Sequence, residues 1–158
     1  MTEVLLRKMT AGDIDAAMRI LEAWNMVPVP ASTENPDPER SGIDIKNAFV
    51  ALCGDQMAGV ASYIDLSADV AETASLAVDP QFRGKGIGYR LQAARLSEMK
   101  KRGFSRVRTE TDRPETIQWY IRKFGYRIVG KNPKKHAFSL PDVDCWTVLE
   151  LELSRFNA

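Results

Sequence analysis

The run Gln81-Phe82-Arg83-Gly84-Lys85-Gly86-Ile87-Gly88 places three glycines within five residues, after a strand-like Leu76-Ala77-Val78 and before a helical stretch that reaches Lys101. A helix entered through such a turn points unpaired backbone N–H groups, and the positive end of its dipole, at one spot ahead of its first turn. That spot suits a phosphate. Glycine lets the backbone come close to an anion without a Cβ in the way, and Arg83 and Lys85 add full charges to the partial ones. The spacing excludes two familiar loops. "GKGIG" lacks the four-residue gap before Gly-Lys-Ser/Thr of a nucleoside-triphosphate loop, and the third glycine falls too early for the dinucleotide GxGxxG. A plain strand-to-helix turn that holds nothing would use the same residues.

The elements that must position this turn follow from periodicity. The 158 residues, 44% apolar, suit a single domain over residues 1–158. Residues 4–7 read as a short strand, and residues 10–24 as an amphipathic helix with Ile14, Ala17, Met18 and Leu21 on one face behind Thr10 or Asp13. Residues 25–42 hold four of the eight prolines and read as an irregular loop, a linker or a lid over a substrate. Strand-like runs at 47–53, 57–66 and 70–78, with a turn at Gly54-Asp55, suggest an antiparallel meander. A helix over 86–101 ends at Gly103, a strand covers 105–112, Pro114 opens a helix to Phe124, and strands follow at 126–130 and 145–153.

Composition narrows the partners. From Gln81 to Arg108 nine Lys or Arg residues face one acid, Glu98, in a chain whose net charge is only +1. A local anionic partner and a solvated basic helix face both fit this excess. A nucleic-acid reader fits poorly, because no aromatics interleave with the cations, and no nucleic-acid partner is expected. Cys53 and Cys145 lack the paired spacing of a zinc or redox site, so reduced thiols and no metal are expected. The charged N-terminus carries no apolar leader and no run is long enough to span a bilayer, so the expectation is a soluble, cytoplasmic protein without a membrane partner.

Gln81-Phe82-Arg83-Gly84-Lys85-Gly86 resembles the Q/R-x-x-G-x-G/A signature of the GNAT superfamily of acetyl-CoA-dependent N-acetyltransferases. "WYIRKFGYRIVG" is similar to that family's second motif, a helix ending in Lys-x-Gly-Phe/Tyr before a strand, and the order of elements agrees over nearly the whole chain. The resemblance implies an α+β fold with layered α/β/α architecture. Its central sheet would be mixed and mostly antiparallel, with about seven strands, and splayed so that the pantetheine arm inserts like a further strand. The implied cosubstrate is acetyl-CoA. Gln81 opens the signature, Arg83, Gly84, Lys85, Gly86, Ile87 and Gly88 would offer backbone amides to its pyrophosphate, and Leu76, Ala77 and Val78 would hydrogen-bond the pantetheine amides.

Amide formation needs a neutral amine, a donor for the oxyanion and a proton for the departing thiolate. Glu72 matches a position where some family members hold a glutamate base. Alternation places it on the face of Ala74, Leu76 and Val78, among apolar neighbours that would raise its pKa; the alternative is a glutamate turned to water. Many members protonate the thiolate with a tyrosine four residues before the glycine of the second motif, but here that position is Ile121 and the nearest hydroxyl is Tyr120. Tyr120 lies on the stripe Ile117, Tyr120, Ile121, Phe124, where an acid and a packing aromatic would look alike. The family's frequent asparagine after the fifth strand is replaced by Thr111 and Asp112. His136, the sole histidine, reads as an exposed loop residue or a base. Trp24, Trp119 and Trp146 read as packing or groove residues, and Glu34, Asp37, Glu39 and Asp44 as a solvated loop or an attraction for a cationic amine.

Two functions remain open at this level. One is an N-acetyltransferase acting on a primary amine of a small molecule or a protein by direct attack in a ternary complex. The other is a catalytically weak or inactive acyl-CoA-binding module. The acceptor is unspecified, and the oligomeric state stays open between a monomer and a homodimer.

Overall fold

The structure is a computed structural model that describes residues 3–24, 26, 43–134 and 140–157. Among the described residues the chain runs β1 (Val4–Lys8), α1 (Ile14–Ala23), β2 (Ala48–Cys53), β3 (Gln56–Asp65), β4 (Val70–Val78), α2 (Ile87–Lys101), β5 (Arg106–Thr111), α3 (Pro114–Phe124), β6 (Arg127–Pro133) and β7 (Cys145–Glu152). The strands form one seven-stranded mixed sheet in the order β1-β2-β3-β4-β5-β7-β6. The pairs β1–β2, β2–β3, β5–β7 and β6–β7 are antiparallel, and β4–β5 is parallel. The expected fold class is therefore observed. The main boundary difference is β6, which runs on to Pro133 where residues 131–133 read as loop. It is the last strand of the sheet, with a register shift between Ile128 and Gly130, and an edge tolerates both the bulge and the proline.

The chain divides into two compact units, residues 1–64 with 74–95 and residues 65–73 with 96–158. In the first, α1 buries Ala17, Ile20 and Leu21 against Ala48, Val50 and Val60. Ile87 and Leu91 of α2 join Ala51, Ala58 and Ala61, with Phe49 packed beside them. Alternation along β2 thus sends Ala48 and Val50 to one cluster and Phe49 and Ala51 to the other, so this strand is covered on both faces. The start of α1 is tied to β1 by a two-pronged ion pair. Arg7 donates from Nη1 and Nη2 to Asp13 at 2.7 and 3.0 Å, and Asp13 also accepts from the Thr10 N–H at 2.8 Å. The Arg7 hydrogen bond, followed by those of Thr10, holds the Asp13 carboxyl well below its ordinary pKa despite partial burial.

Arg95 departs most from expectation. Read as one cation of a basic helix, it is fully buried. Its Nη1 donates to the carbonyls of Ser62 on β3 (2.9 Å) and Ser75 on β4 (2.8 Å), and its Nε to Gln92 Oε1 (3.0 Å). A guanidinium leaves water only where such oxygens replace its hydration. Beside this clamp the helix approaches β3 at Gly59. A Cβ there would lie 2.9 Å from Leu91 Cδ1 and 3.2 Å from both the Ala77 carbonyl oxygen and Ile87 Cγ2.

In the second unit, Leu96, Met99, Phe104, Val107, Leu149, Leu151 and Leu153 are buried. α3 starts at Pro114 and stops at Gly125, whose φ of 79° is left-handed, with its N–H on the Ile121 carbonyl at 3.1 Å. Close approach, not backbone conformation, requires the glycine at 59. Gly59→Ala is therefore expected to cost about 1–3 kcal/mol through overpacking and to lower Tm by roughly 2–4 °C for each of them. Gly130→Ala, whose Cβ meets no atom within 4 Å, serves as the neutral control in the same thermal melts.

Candidate active site

The glycine-rich turn is built from local bonds. β4 ends at Val78, and the Asp79 carboxylate accepts from the Gln81 N–H at 3.0 Å, capping a single 3-10 turn, Pro80–Phe82. The Asp79 N–H bonds the Ala58 carbonyl at 2.7 Å, which fixes the exit from the sheet. Gly84 and Gly86 then take φ of 79° and 74°, a left-handed backbone that side chains rarely adopt. A Cβ at either position would meet no described atom within 4 Å, so conformation selects glycine there and the space beside the turn is open. α2 begins at Ile87, whose side chain is buried, and the first helical bond joins the Arg90 N–H to the Gly86 carbonyl at 3.1 Å. Amides ahead of that bond have no partner inside the helix. Gln81, Arg83 and Lys85 are exposed, while Gly88 is half-buried in the first turn.

Trp24, at the end of α1, joins this region. Its indole N–H donates to the Val78 carbonyl at 2.9 Å, and the Arg83 guanidinium lies 5.2 Å above its ring. Ala77 is buried in the core, and Leu76 and Val78 are half-buried.

In the other unit, Glu72 is only 2% exposed. It stands opposite Arg108 in the parallel β4–β5 register, which ends at this pair. Arg108 Nε lies 3.4 Å from Glu72 Oε2, an ion pair without hydrogen-bond geometry, while Nη2 donates to Glu110 Oε1 at 2.7 Å. Glu110 also accepts from Asn132 Nδ2 at 3.0 Å. The Glu110 hydrogen bond raises the Arg108 pKa against the opposing effect of burial, with further attraction from Glu110, Glu72 and Glu150. Periodicity along one strand pointed to apolar neighbours for Glu72, but the strand across from it supplies a cation. Just beyond, the Thr73 hydroxyl donates to the Thr109 hydroxyl.

Tyr120 is buried on α3, packed at 4.9 Å from Tyr126 and 5.2 Å from Trp119 by ring centroids. Asp112 holds a different part of the fold. Its carboxylate accepts from Lys134 Nζ at 2.6 Å and from the Leu140 N–H at 2.8 Å, and Lys134 also donates to the Leu140 carbonyl at 2.7 Å. Asp112 thus ties together Lys134 and Leu140 of the β6–β7 connection. Residues 135–139, His136 among them, lie outside the described residues, as do Glu34, Asp37 and Glu39; Asp44 accepts from the Lys46 N–H at 3.2 Å.

The basic run is dispersed by the fold. Besides Arg95 and Arg108, Arg90 donates to the Val4 carbonyl (3.0 Å), Lys100 to that of Phe156 (2.7 Å), Arg102 to Asp65 (2.8 Å) and Arg106 to Glu150 (3.2 Å). Arg90, Lys100, Arg102 and Arg106 are exposed while so bonded, as are Arg83 and Lys85, in the turn, and Lys101. Among the described residues no group of three or more His, Cys, Asp or Glu could hold a metal ion, and no helix is long and apolar enough to cross a membrane.

The family described as "Acetyltransferase (GNAT) family" matches residues 15–126. Ard1 from Thermoplasma volcanium superposes with a TM-score of 0.71 at 22% identity, covering 94% of this chain and 97% of that one. The ribosomal-protein-S18-alanine N-acetyltransferase from Escherichia coli gives 0.72 at 18% identity, covering 96% and 94%. N-acetylglutamate synthase from Neisseria gonorrhoeae, in complex with coenzyme A and L-arginine, gives 0.67 at 19% identity, over 93% of this chain and 33% of that one. At these identities the likeness is one of fold. No curated protein matches the sequence.

With side chains 1% and 7% exposed, Asp112 and Lys134 form a buried pair, and removing one partner of such a pair costs about 3–5 kcal/mol. Asp112→Ala is expected to lower the urea midpoint accordingly with an unchanged m-value.

Proposed function

Because the chain belongs to the GNAT acetyltransferase family, we propose that it is an N-acetyltransferase. It would move the acetyl group of acetyl-CoA to a primary amine of a small molecule or a protein, by direct attack in a ternary complex. The observation that supports this reading best is the turn at Gly84 and Gly86, both left-handed, both beside open space, and both directly ahead of α2. An anion there meets amides and a helix dipole instead of side chains. The alanine acetyltransferase and the N-acetylglutamate synthase carry a protein residue and an amino acid in their names. Kinship therefore spans both acceptor types and selects neither.

The backbone of Arg83, Gly84, Lys85, Gly86, Ile87 and Gly88 would hold the pyrophosphate, with Gln81 opening the turn, and Leu76, Ala77 and Val78 would run along the pantetheine. Acetyl-CoA bound there supplies the acetyl group as an activated thioester. Glu72 takes a proton from the incoming ammonium, which frees the nitrogen lone pair for attack. Tyr120 gives its hydroxyl proton to the departing sulfur. An alkylamine with a pKa of about 10.4 is overwhelmingly protonated at neutral pH, so the base is needed. The close aromatic packing of Tyr120 supports a second reading, an acyl-CoA-binding module with little or no turnover.

Acetyl-CoA should raise Tm, since it binds only the native state. Gly86→Asp should abolish the rise by placing a carboxylate against the phosphates, while Gly86→Asn, equally tolerant of a left-handed backbone, keeps more of it. Binding of acetyl-CoA to Gly86→Asp at the parental level would show that the turn is not the phosphate site. A panel of amines is then screened for thiol release; binding without release from any amine favours the module. Glu72→Gln should lower kcat at least about tenfold at pH 7 and recover in part as pH rises. Tyr120→Phe should lower it roughly ten- to a thousandfold with acetyl-CoA affinity nearly unchanged, and an unchanged rate would leave Tyr120 a packing residue.

A further inference from the structure

Arg108 stands between two carboxylates that are both nearly withdrawn from water. The side chains of Glu72 and Glu110 are 3% and 9% exposed, and that of Arg108 is 32% exposed. Two carboxylates so placed repel each other, and burial disfavours the charge on each. An arginine between them cannot relieve this by losing its proton, because the guanidinium stays charged. Arg108 therefore supplies a fixed positive charge between the two carboxylates. Glu110 has a second support, the Asn132 amide at 3.0 Å.

Other charged groups lie on the neighbouring strands, and on β3 Asp65 is paired with Arg102 at 2.8 Å. Glu72 is the single titratable residue of β4. On β5, Arg106 is hydrogen-bonded to Glu150 at 3.2 Å. On β7, Glu150 stands opposite Arg108 in register and adds a third negative charge. On β6, Arg127 is paired in register with Glu150. Arg108 is thus the cation whose Nε points at Glu72, at 3.4 Å.

We infer that Arg108 is the positioning residue for Glu72: anchored by its Nη2 on Glu110, it keeps the Glu72 carboxylate ionised and oriented so that it can accept the proton of an incoming ammonium. The inference rests on the reading of Glu72 as the base. The charge balance is consistent with it. The set carries one surplus negative charge and the ammonium one positive charge. When the proton moves from nitrogen to the Glu72 carboxylate oxygen, the amine becomes neutral, and Arg108 and Glu110 are left as a matched pair. No unbalanced charge is created in a buried place by the transfer.

The test reads ionisation directly. In protein labelled with 13C at the glutamate carboxyls, the NMR resonance missing from Glu72→Gln identifies Glu72, and its titration midpoint is followed in the parent and in Arg108→Gln. The midpoint should rise by about one pH unit or more on loss of the guanidinium, and in Arg108→Lys by less, since the charge remains without the fork. With an amine found in the panel, the acid limb of kcat should move upward with it while the Kd for acetyl-CoA holds. An unmoved midpoint in folded Arg108→Gln overturns the inference. Should that variant fail to fold, Glu110→Gln gives the answer, because it leaves the guanidinium to Glu72 alone and the midpoint should fall; a rise or no change overturns the inference. Parental turnover in Glu72→Gln with a shifting midpoint sinks the base reading. Slow turnover in Glu72→Gln with a midpoint indifferent to Arg108 sinks this inference alone.

Discussion

The first backbone amides of α2 have no carbonyl partners within their own helix, and the first unit of the fold is arranged to hold them still. Ile87, Leu91 and Arg95 recur every four residues, so they lie on one stripe of the helix. Ile87 and Leu91 are buried in an apolar cluster, with Leu91 close above Gly59, and Arg95 grips the carbonyls of Ser62 and Ser75. A helix fixed along its length by shape and by directed bonds cannot slide. The turn ahead of it, with Gly84 and Gly86 left-handed, therefore presents its amides at one place. An anion that binds there meets donors already oriented, without the entropic cost of ordering them.

The two withdrawn arginines show how differently one guanidinium can be used. Arg95 is satisfied by backbone carbonyls and the Gln92 amide, partial charges that cannot titrate, so its environment does not change with pH or with substrate. Arg108 is set against Glu72 and Glu110, groups that can exchange protons. The first arrangement is suited to holding strands and a helix in place. The second sets a fixed positive charge beside two carboxylates. Lys134 and Asp112 form a third buried pair whose partners include both the N–H and the carbonyl of Leu140, and it serves the chain path between β6 and β7.

Charge counted along the chain misjudged where charge resides in space. Nine cations between Gln81 and Arg108 suggest a basic surface, yet six of them are bonded to protein oxygens from other elements or from their own. Three of the six, Arg102, Arg106 and Arg108, are paired with carboxylates, which lowers the field that they would otherwise project. The cations left exposed include Arg83 and Lys85, which sit in the glycine turn itself.

The sequence by itself determined what depends on near neighbours. The break at Asp79-Pro80, the left-handed glycines, the start of α3 at Pro114 and its end at Gly125 all reflect dihedral preferences set by one or two residues. The strands followed from alternation, and the two motifs in their order pointed to the family. Tertiary structure alone decided the cross-chain pairs. Glu72 and Arg108 are thirty-six positions apart, and only the parallel register of β4 with β5 makes them opposites. Arg95 looked like a surface cation until β3 and β4 offered it carbonyls, and Asp112, noted in the sequence only as standing in place of an asparagine, is bonded to Lys134 beyond the end of β6. Local sequence encodes dihedral angles and the faces of single elements, whereas a partner across the sheet depends on register and on packing between distant segments, which no short stretch contains.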